Sequence, residues 1–305
     1  MRLDPVAAQF NRFIAATVLS ATFALSGHAK VVEVELDADL FGRLDQQTTA
    51  CPNTSCGPSA AINSFVFLQN KYPDLYDHKL VPSTTVAPGG GPGVPSLDDQ
   101  KNAAEVLGGV PYMGTCTACG ATGTYVEDFI IGKRDYIEAK VPGKTIYHAQ
   151  IGHKWRETIE ATDDAPAGTH PMTPKPDFVQ DERPPELLFL ADELKKGQDI
   201  ELFMFGADGA HYITLTGVSF DDITNQGTMK FVDPWGGETG SATIHGLVDG
   251  FISTDYTLGS EGDDAMGFIG SAIIESPVPE PAQIALLLAG LAVLGVHRRG
   301  YRAGR

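Results

Sequence analysis

The sequence has few basic residues for its size. Its 305 residues include 22 lysines and arginines against 39 aspartates and glutamates, which gives a formal net charge of −17 at pH 7. Nucleic acids and anionic membrane surfaces are bound by basic faces, so this imbalance argues against both as partners. The hydrophobic share of 42% and the charged share of 20% are those of a soluble globular protein that buries a core.

The sequence also lacks an internal repeat of fixed period and any apolar run long enough for an ordinary membrane span. Near the N-terminus, Phe13 to Leu25 is apolar, but a span needs roughly 20 such residues. Small residues follow in Gly27-His28-Ala29, as a signal peptidase requires. Residues 1–29 are therefore predicted to be a secretory signal peptide cleaved after Ala29, with a membrane anchor as the alternative.

The C-terminal segment combines three features in a fixed order. Val278-Pro279-Glu280-Pro281 precedes the apolar run from Ala282 to Val296, and His297-Arg298-Arg299 follows it. Residues 277–305 thus resemble the PEP-CTERM sorting signal. The resemblance implies a Gram-negative host, an exosortase as processing partner, and a short transmembrane helix as a transient anchor. It also implies export through the inner membrane to the cell surface or extracellular matrix.

Cysteine is scarce, with four residues in the chain. Cys116 and Cys119 have the CxxC spacing, and in an exported chain we predict a local disulfide between them. No second CxxC and no paired histidine lies nearby to complete a zinc site, so no metal is predicted. For Cys51 and Cys56 two interpretations remain, either a disulfide between them or a free thiol at Cys56.

Residues 30–276 are predicted to form one domain of the α+β class. Helical spacing of apolar residues is concentrated in the front half, whereas strand-like runs follow in the back half, where an antiparallel sheet is expected. The predicted helices are Cys56–Lys71, Asp98–Leu107, Tyr125–Ala139 and Glu186–Lys196; the predicted strands are Lys30–Leu36, Asp199–Phe205, His211–Phe220, Met229–Val232 and Ser271–Glu275.

One cysteine stands where a helix is predicted to begin. Cys56 opens an apolar run of helical spacing, Gly57 permits close approach of neighbouring backbone, and Pro58 suits a first helical turn. Unpaired N–H groups and the helix dipole favour an anion there, which lowers the pKa of a thiol and supplies donors for an oxyanion. We therefore interpret Cys56 as a nucleophile.

A base and an orienting carboxylate lie at the ends of two predicted strands. His211 opens one strand and Asp233 ends a later one, directly before Pro234. If residues 220–227 form the connecting turn, the strands pair antiparallel and bring His211 and Asp233 to the same end. A cysteine nucleophile needs such a pair. Trp235 is expected to shield their hydrogen bond from water. We interpret four other histidines as structural or exposed; they are His148, His153, His170 and His245.

These segments resemble papain-like cysteine peptidases of the C39-like kind. The likeness is carried by Ser55-Cys56-Gly57-Pro58-Ser59-Ala60-Ala61, by residues 194–200, by residues 210–218 and by Val232-Asp233-Pro234-Trp235-Gly236. It implies a papain-like fold, with N-terminal helices packed on a C-terminal antiparallel sheet, and no cofactor. Cys56 would attack the carbonyl carbon, His211 would be general base and acid, and Asp233 would orient the histidine. A glutamine upstream would complete the oxyanion hole, and Gln47 and Gln46 are the candidates.

The favoured function is an exported cysteine hydrolase that cleaves a peptide or amide bond through a thioester acyl-enzyme. Two alternatives use the same residues. One is a catalytically silent papain-like module that binds partners at the cell surface or in an exopolysaccharide matrix. The other is an acyltransferase or transglutaminase that passes the acyl group to an amine instead of to water.

We expect the mature protein to begin near Lys30 and to end between Val278 and Pro281, because both boundaries carry processing signals. Intact-mass measurement of the protein recovered from its native host checks both ends. A surface form that keeps Met1 or Arg305 would contradict this expectation.

Overall fold

The computed structural model describes residues 30–85, 93–115, 123–157, 174–207, 209–257 and 266–278. The predicted signal peptide, the predicted Cys116–Cys119 pair and the C-terminal apolar run lie outside these residues. Within the described ranges, no helix is both long and apolar enough to cross a membrane.

Helices occupy most of the described chain before residue 141. The α-helices are α1 (Cys56–Lys71), α2 (Pro73–Tyr76), α3 (Leu97–Gly108), α4 (Val126–Lys140) and α5 (Leu187–Lys195), and short 3₁₀ turns lie at Ala38–Leu40 and Gln46–Thr48. The four predicted helices are therefore present, each within about a residue of its expected ends, which is the usual uncertainty of helix boundaries.

Helix α1 lies at the centre of the core. Every residue from Cys56 to Gln69 is buried, and the helix packs on α3, α4, β4 and β5. It ends at Lys71, two residues before Pro73, since the residue before a proline disfavours helical backbone. Polar side chains within the helix, such as Asn63, are buried as well, and Asn63 Oδ1 accepts a hydrogen bond from a backbone N–H of the preceding loop.

The strands form one nine-stranded sheet. They are β1 (Val31–Glu35), β2 (Thr145–Ile151), β3 (Val179–Gln180), β4 (Asp199–Gly206), β5 (Gly209–Asp221), β6 (Gly227–Asp233), β7 (Glu238–Val248), β8 (Phe251–Thr254) and β9 (Gly267–Pro277). Strands β4 to β9 close into a ring of antiparallel pairs. Strand β1 pairs with the end of β5, and β2 extends the sheet beyond β9, with β3 parallel to it.

The sheet is more extensive than the sequence predicted. Strands β2, β3, β7 and β8 were not expected, and β1 and β2 come from the helix-rich front half. Along β7, exposed polar residues alternate with buried residues, so this strand contains no continuous apolar run that would mark it in the sequence. The described architecture is thus helices packed against a large mixed sheet, and its papain-like character remains a proposal.

A fully buried lysine joins a helix to two strands of the ring. Lys133 on α4 places its ammonium against the carboxylates of Glu201 on β4 and Glu275 on β9, with Oδ2 of Asp199 at 3.7 Å. All four side chains have 1% exposure or less. Three carboxylates this close together are ligands for a cation, and the ammonium of Lys133 is the cation that they surround.

Protons balance the remaining charge of this cluster. Three ionised carboxylates and one ammonium would leave a net charge of −2 in a site with almost no solvent exposure. Burial therefore raises the pKa of Asp199 to about 7, against the attraction of Lys133, and raises the pKa of Glu275 well above its ordinary value. The same carboxylates raise the pKa of Lys133 in spite of its burial, so the lysine stays charged.

We expect Asp199→Asn to weaken the pH dependence of stability. The folded-state pKa of about 7 exceeds the ordinary value of about 4, so the folded protein holds a proton that the unfolded chain has released. The contribution of Asp199 to stability therefore falls as the pH rises from about 4 to about 7. Urea unfolding measures the free energy of unfolding at pH 5 and at pH 8. The difference between these two free energies should be smaller in the variant than in the wild type.

Asp192→Asn is the matched control, because its side chain is 64% exposed and pairs with Lys195 on the protein surface. This variant should keep the wild-type difference between pH 5 and pH 8. If Asp199→Asn also keeps the wild-type difference in the free energy of unfolding between the two pH values, Asp199 takes up no proton on folding.

Candidate active site

Three elements bring together the residues predicted to form the site. Cys56 is the first residue of α1, His211 lies near the start of β5, and Asp233 is the last residue of β6. Strands β5 and β6 pair antiparallel with Thr214 opposite Val232, so the hairpin predicted from the sequence is confirmed. His211 Nε2 lies 2.8 Å from Oδ1 of Asp233.

The other ring nitrogen of His211 is left for the thiol. His211 and Cys56 are hydrogen-bond partners, and Nε2 is already used by Asp233, which assigns Nδ1 to Cys56. Both residues are almost fully buried, with 3% exposure for His211 and 8% for Cys56. The three side chains therefore form a continuous chain from sulfur to carboxylate.

The electrostatics of this chain favour a charged pair. Burial raises the pKa of the Cys56 thiol, but the hydrogen bond and the charge of His211, with the N–H groups of Tyr212 and Gly57, outweigh it and lower the pKa. Burial lowers the pKa of His211, but hydrogen bonds to Asp233 and Cys56 raise it to about 9. The site thus favours a thiolate beside an imidazolium.

A tyrosine that the sequence did not reveal holds the carboxylate. The hydroxyl of Tyr256 donates to Oδ2 of Asp233 at 2.8 Å, and the backbone N–H of Trp235 donates to Oδ1 at 2.8 Å. The Tyr256 ring also stacks on the His211 ring, with 6.2 Å between centroids and 12° between planes. No local motif marks Tyr256, because it follows β8 and reaches the site only through the fold.

The expectation that the Trp235 side chain shields the bond between His211 and Asp233 stays a prediction. Trp235 is 55% exposed, and its contribution to Asp233 comes from the backbone. The chain turns at Gly236 and Gly237, which both have positive φ, a backbone conformation that glycine adopts without strain. The aromatic ring stacked on the histidine is that of Tyr256.

The two glutamine candidates differ in position. Gln46 has 1% exposure and donates from Nε2 to the carbonyl of Pro52 at 2.7 Å, in the loop that leads to Cys56. Its backbone N–H donates to the carbonyl of Pro234, beside Asp233. Gln47 is exposed. Gln46 is therefore the better placed of the two.

The two described cysteines differ, since one is a free thiol and the other is disulfide-bonded. Cys56 is free, whereas Cys51 is disulfide-bonded, so these two residues do not pair with each other. Cys116 and Cys119 lie outside the described residues, and their predicted pairing stays a prediction. The sequence has only four cysteines and Cys56 is free. A disulfide from Cys51 to Cys116 or Cys119 would therefore exclude that pairing.

Gly57 is required by close packing behind the nucleophile. A Cβ atom at this position would lie 2.8 Å from Oγ1 of Thr124 and 3.3 Å from a ring carbon of Phe129. The predicted close approach is therefore present, although side chains make it and not neighbouring backbone. A larger residue here would displace Thr124, which borders the cleft in front of Cys56.

A cleft of about 470 Å³ opens beside the thiol. It is lined by Cys56, Gly123, Thr124, Tyr125, Val126, His153, Lys154, Arg156, Phe203, Ala210 and Tyr212. His153 was expected to be merely structural or exposed, but it lies in this lining with Nε2 3.0 Å from Glu127 Oε1. Its carboxylate partner is 26 residues away in the sequence, so no local motif pointed to the pair.

Comparison with known proteins bears on the C-terminus. Residues 277–303 match the PEP-CTERM protein-sorting motif. The chain is an exported protein. The motif directs sorting to the cell envelope or surface and is recognised by an exosortase, as the sequence resemblance implied. No curated protein matches the chain.

We expect His211→Ala to move the alkylation of Cys56 to higher pH. Without His211, burial raises the pKa of the thiol and only the N–H groups of Tyr212 and Gly57 oppose it, so the pH midpoint should rise above that of the wild type. The rate of iodoacetamide labelling at Cys56, located by peptide mapping, measures the midpoint.

His148→Ala is the control for this measurement, since His148 is 45% exposed and faces Glu193 on α5. Its midpoint should equal that of the wild type. If the midpoint is unchanged in His211→Ala, His211 does not affect the ionisation of the Cys56 thiol in solution.

Proposed function

We propose that the protein is an exported cysteine hydrolase that cleaves a peptide or amide bond through an acyl-enzyme on Cys56. The observation that carries the proposal is the arrangement of a free, buried Cys56 against His211, itself bonded to Asp233. Nucleophilic catalysis by cysteine requires a lowered thiol pKa, a proton-transferring base and a group that orients the base. All three requirements are met by these residues.

The acylation step follows from the positions of the charges. The thiolate of Cys56 attacks the carbonyl carbon, an S–C bond forms, and the carbonyl electrons move to oxygen. His211 then gives its proton to the leaving nitrogen as the C–N bond breaks, which leaves a thioester on Cys56.

Deacylation uses the same groups in the reverse roles. His211, now neutral, accepts a proton from water as the water oxygen attacks the thioester carbon. The C–S bond breaks, the carboxylic acid leaves, and the thiolate–imidazolium pair is restored. Asp233 remains ionised and keeps the imidazole orientated, while Tyr256 and Trp235 fix Asp233.

The oxyanion is assigned to donors at the N-terminus of α1. The first N–H groups of a helix have no partner within the helix and carry partial positive charge. Gln46 is the proposed side-chain donor, since only one hydrogen of its Nε2 is used by Pro52 and its Nε2 provides two. A papain-like domain is the proposed fold, on the support of a cysteine-bearing helix packed against strands that carry histidine and aspartate.

We expect Cys56→Ala to abolish hydrolysis and His211→Ala nearly to abolish it, because the first removes the nucleophile and the second its proton-transfer group. Asp233→Ala should lower kcat/KM by roughly 10²- to 10⁴-fold, as loss of the orienting residue does in other triads. Tyr256→Phe should have a smaller effect, of roughly tenfold, because it removes one of the two hydrogen bonds that hold the Asp233 carboxylate and leaves the bond from Trp235. Cleavage of a peptide library, read by mass spectrometry, measures these rates.

The control is His148→Ala, which should retain wild-type activity, and circular dichroism should show every variant folded. If Cys56→Ala cleaves any peptide of the library at the wild-type rate, Cys56 is not the nucleophile. A reactive Cys56 thiol together with no cleavage across the library would favour a catalytically silent binding module.

A further inference from the structure

We propose that the cleft beside Cys56 binds a carboxylate of the substrate, so that the enzyme acts on acidic peptides. The inference rests on the proposed hydrolase function, since it assigns the substrate class of the same site. It is drawn from the charge, packing and free hydrogen-bonding capacity of the residues that line the cleft.

The charge of the lining is opposite to that of the protein. Acidic residues outnumber basic ones by 39 to 22 in the chain. The cleft lining nevertheless includes Lys154 and Arg156, and none of its described residues is an aspartate or a glutamate. Positive groups concentrated next to a nucleophile attract anionic groups to that place.

Arg156 is held in position by a buried acid behind it. Its Nε and Nη2 donate to the two carboxylate oxygens of Glu127 at 2.9 and 2.7 Å, and its guanidinium lies over the ring of Tyr125 at 5.5 Å. The Glu127 side chain is 4% exposed, whereas that of Arg156 is 45% exposed. The acid therefore fixes the arginine while remaining shielded from the cleft itself.

The fixed arginine keeps hydrogen-bonding capacity for a ligand. Glu127 uses one edge of the guanidinium, and Nη1 on the other side is not bonded to it. A planar guanidinium with a free edge is suited to a carboxylate, because its donors match the spacing of the carboxylate oxygens.

Lys154 adds a charge that the described protein does not neutralise. Its side chain is exposed in the cleft lining, and no carboxylate in the described ranges forms an ion pair with it. Most other basic residues near the surface, such as Lys79 and Lys230, do have an acidic partner. An unpaired lysine next to a nucleophile is available to the substrate.

The cleft lining also includes an aromatic wall. Phe203 and Tyr212 pack against each other with 5.2 Å between ring centroids, and both line the cleft with Cys56. A volume of about 470 Å³ holds a side chain or a short peptide segment. An acidic side chain would place its methylene groups on the aromatic wall and its carboxylate by Arg156 and Lys154.

Two alkylating reagents of nearly equal size test the inference. Iodoacetate carries a carboxylate and iodoacetamide is neutral, and each forms an S–C bond with Cys56 while iodide leaves. We expect Lys154→Gln to lower the ratio of the two rates at Cys56 by roughly threefold, and Lys154→Glu by roughly tenfold. The full-length exported protein is used, and peptide mapping assigns the label to Cys56.

A double variant tests Arg156 without leaving Glu127 as an unpaired buried charge. Glu127→Gln together with Arg156→Gln should also lower the ratio by roughly threefold. Lys79→Gln and Lys79→Glu are the controls, because Lys79 is exposed, pairs with Asp77 and is absent from the cleft lining. Both controls should leave the ratio at the wild-type value.

Each outcome of the alkylation experiment either supports the carboxylate site or overturns it. A ratio that does not change in the Lys154 variants, while Cys56 still reacts with iodoacetamide, overturns the carboxylate site and leaves the hydrolase proposal intact. No reaction at Cys56 with either reagent overturns both. A ratio that falls in the order wild type, Lys154→Gln, Lys154→Glu, with no change in the Lys79 variants, supports the site.

Discussion

The ammonium of Lys133, surrounded by three buried carboxylates, fixes the relative positions of the elements on which the site depends. It joins α4 to β4 and β9 at a place with almost no exposure to solvent. Loss of Lys133 would leave buried carboxylate charge without compensation, which is more costly than the loss of a surface ion pair. The first turn of α4 borders the cleft, and β4 continues into the strand that carries His211. The cluster therefore holds two walls of the site in register.

Catalytic geometry depends on a second set of contacts, between α1 and the ring of strands. Thr214 on β5 donates its hydroxyl to the carbonyl of Ala60 on α1 at 2.9 Å, in the interior of the protein. Ala60 lies one helical turn after Cys56, and Thr214 lies three residues after His211. The contact thus sets the distance between sulfur and imidazole, while the β5–β6 register independently sets the distance between imidazole and carboxylate.

The parts of the site that the sequence predicted are those formed by local geometry. The start of α1 follows from the apolar spacing after Cys56, and the meeting of His211 with Asp233 follows from one hairpin. Tyr256, Glu127 and Lys133 could not be predicted in the same way. Each acts through a partner more than twenty residues distant, and an isolated tyrosine, glutamate or lysine has the pattern of an ordinary surface residue. Only the assembled fold brings these partners together.

A strongly acidic protein with a basic cleft combines two effects that act over different distances. The net charge of −17 would repel an acidic substrate at long range, but salt at physiological strength screens charges beyond roughly 8 Å. Within that distance the substrate meets Lys154 and Arg156. Attraction near Cys56 is therefore not cancelled by the acidic exterior. The exterior can favour solubility while the few cations of the cleft determine which substrates reach the thiolate.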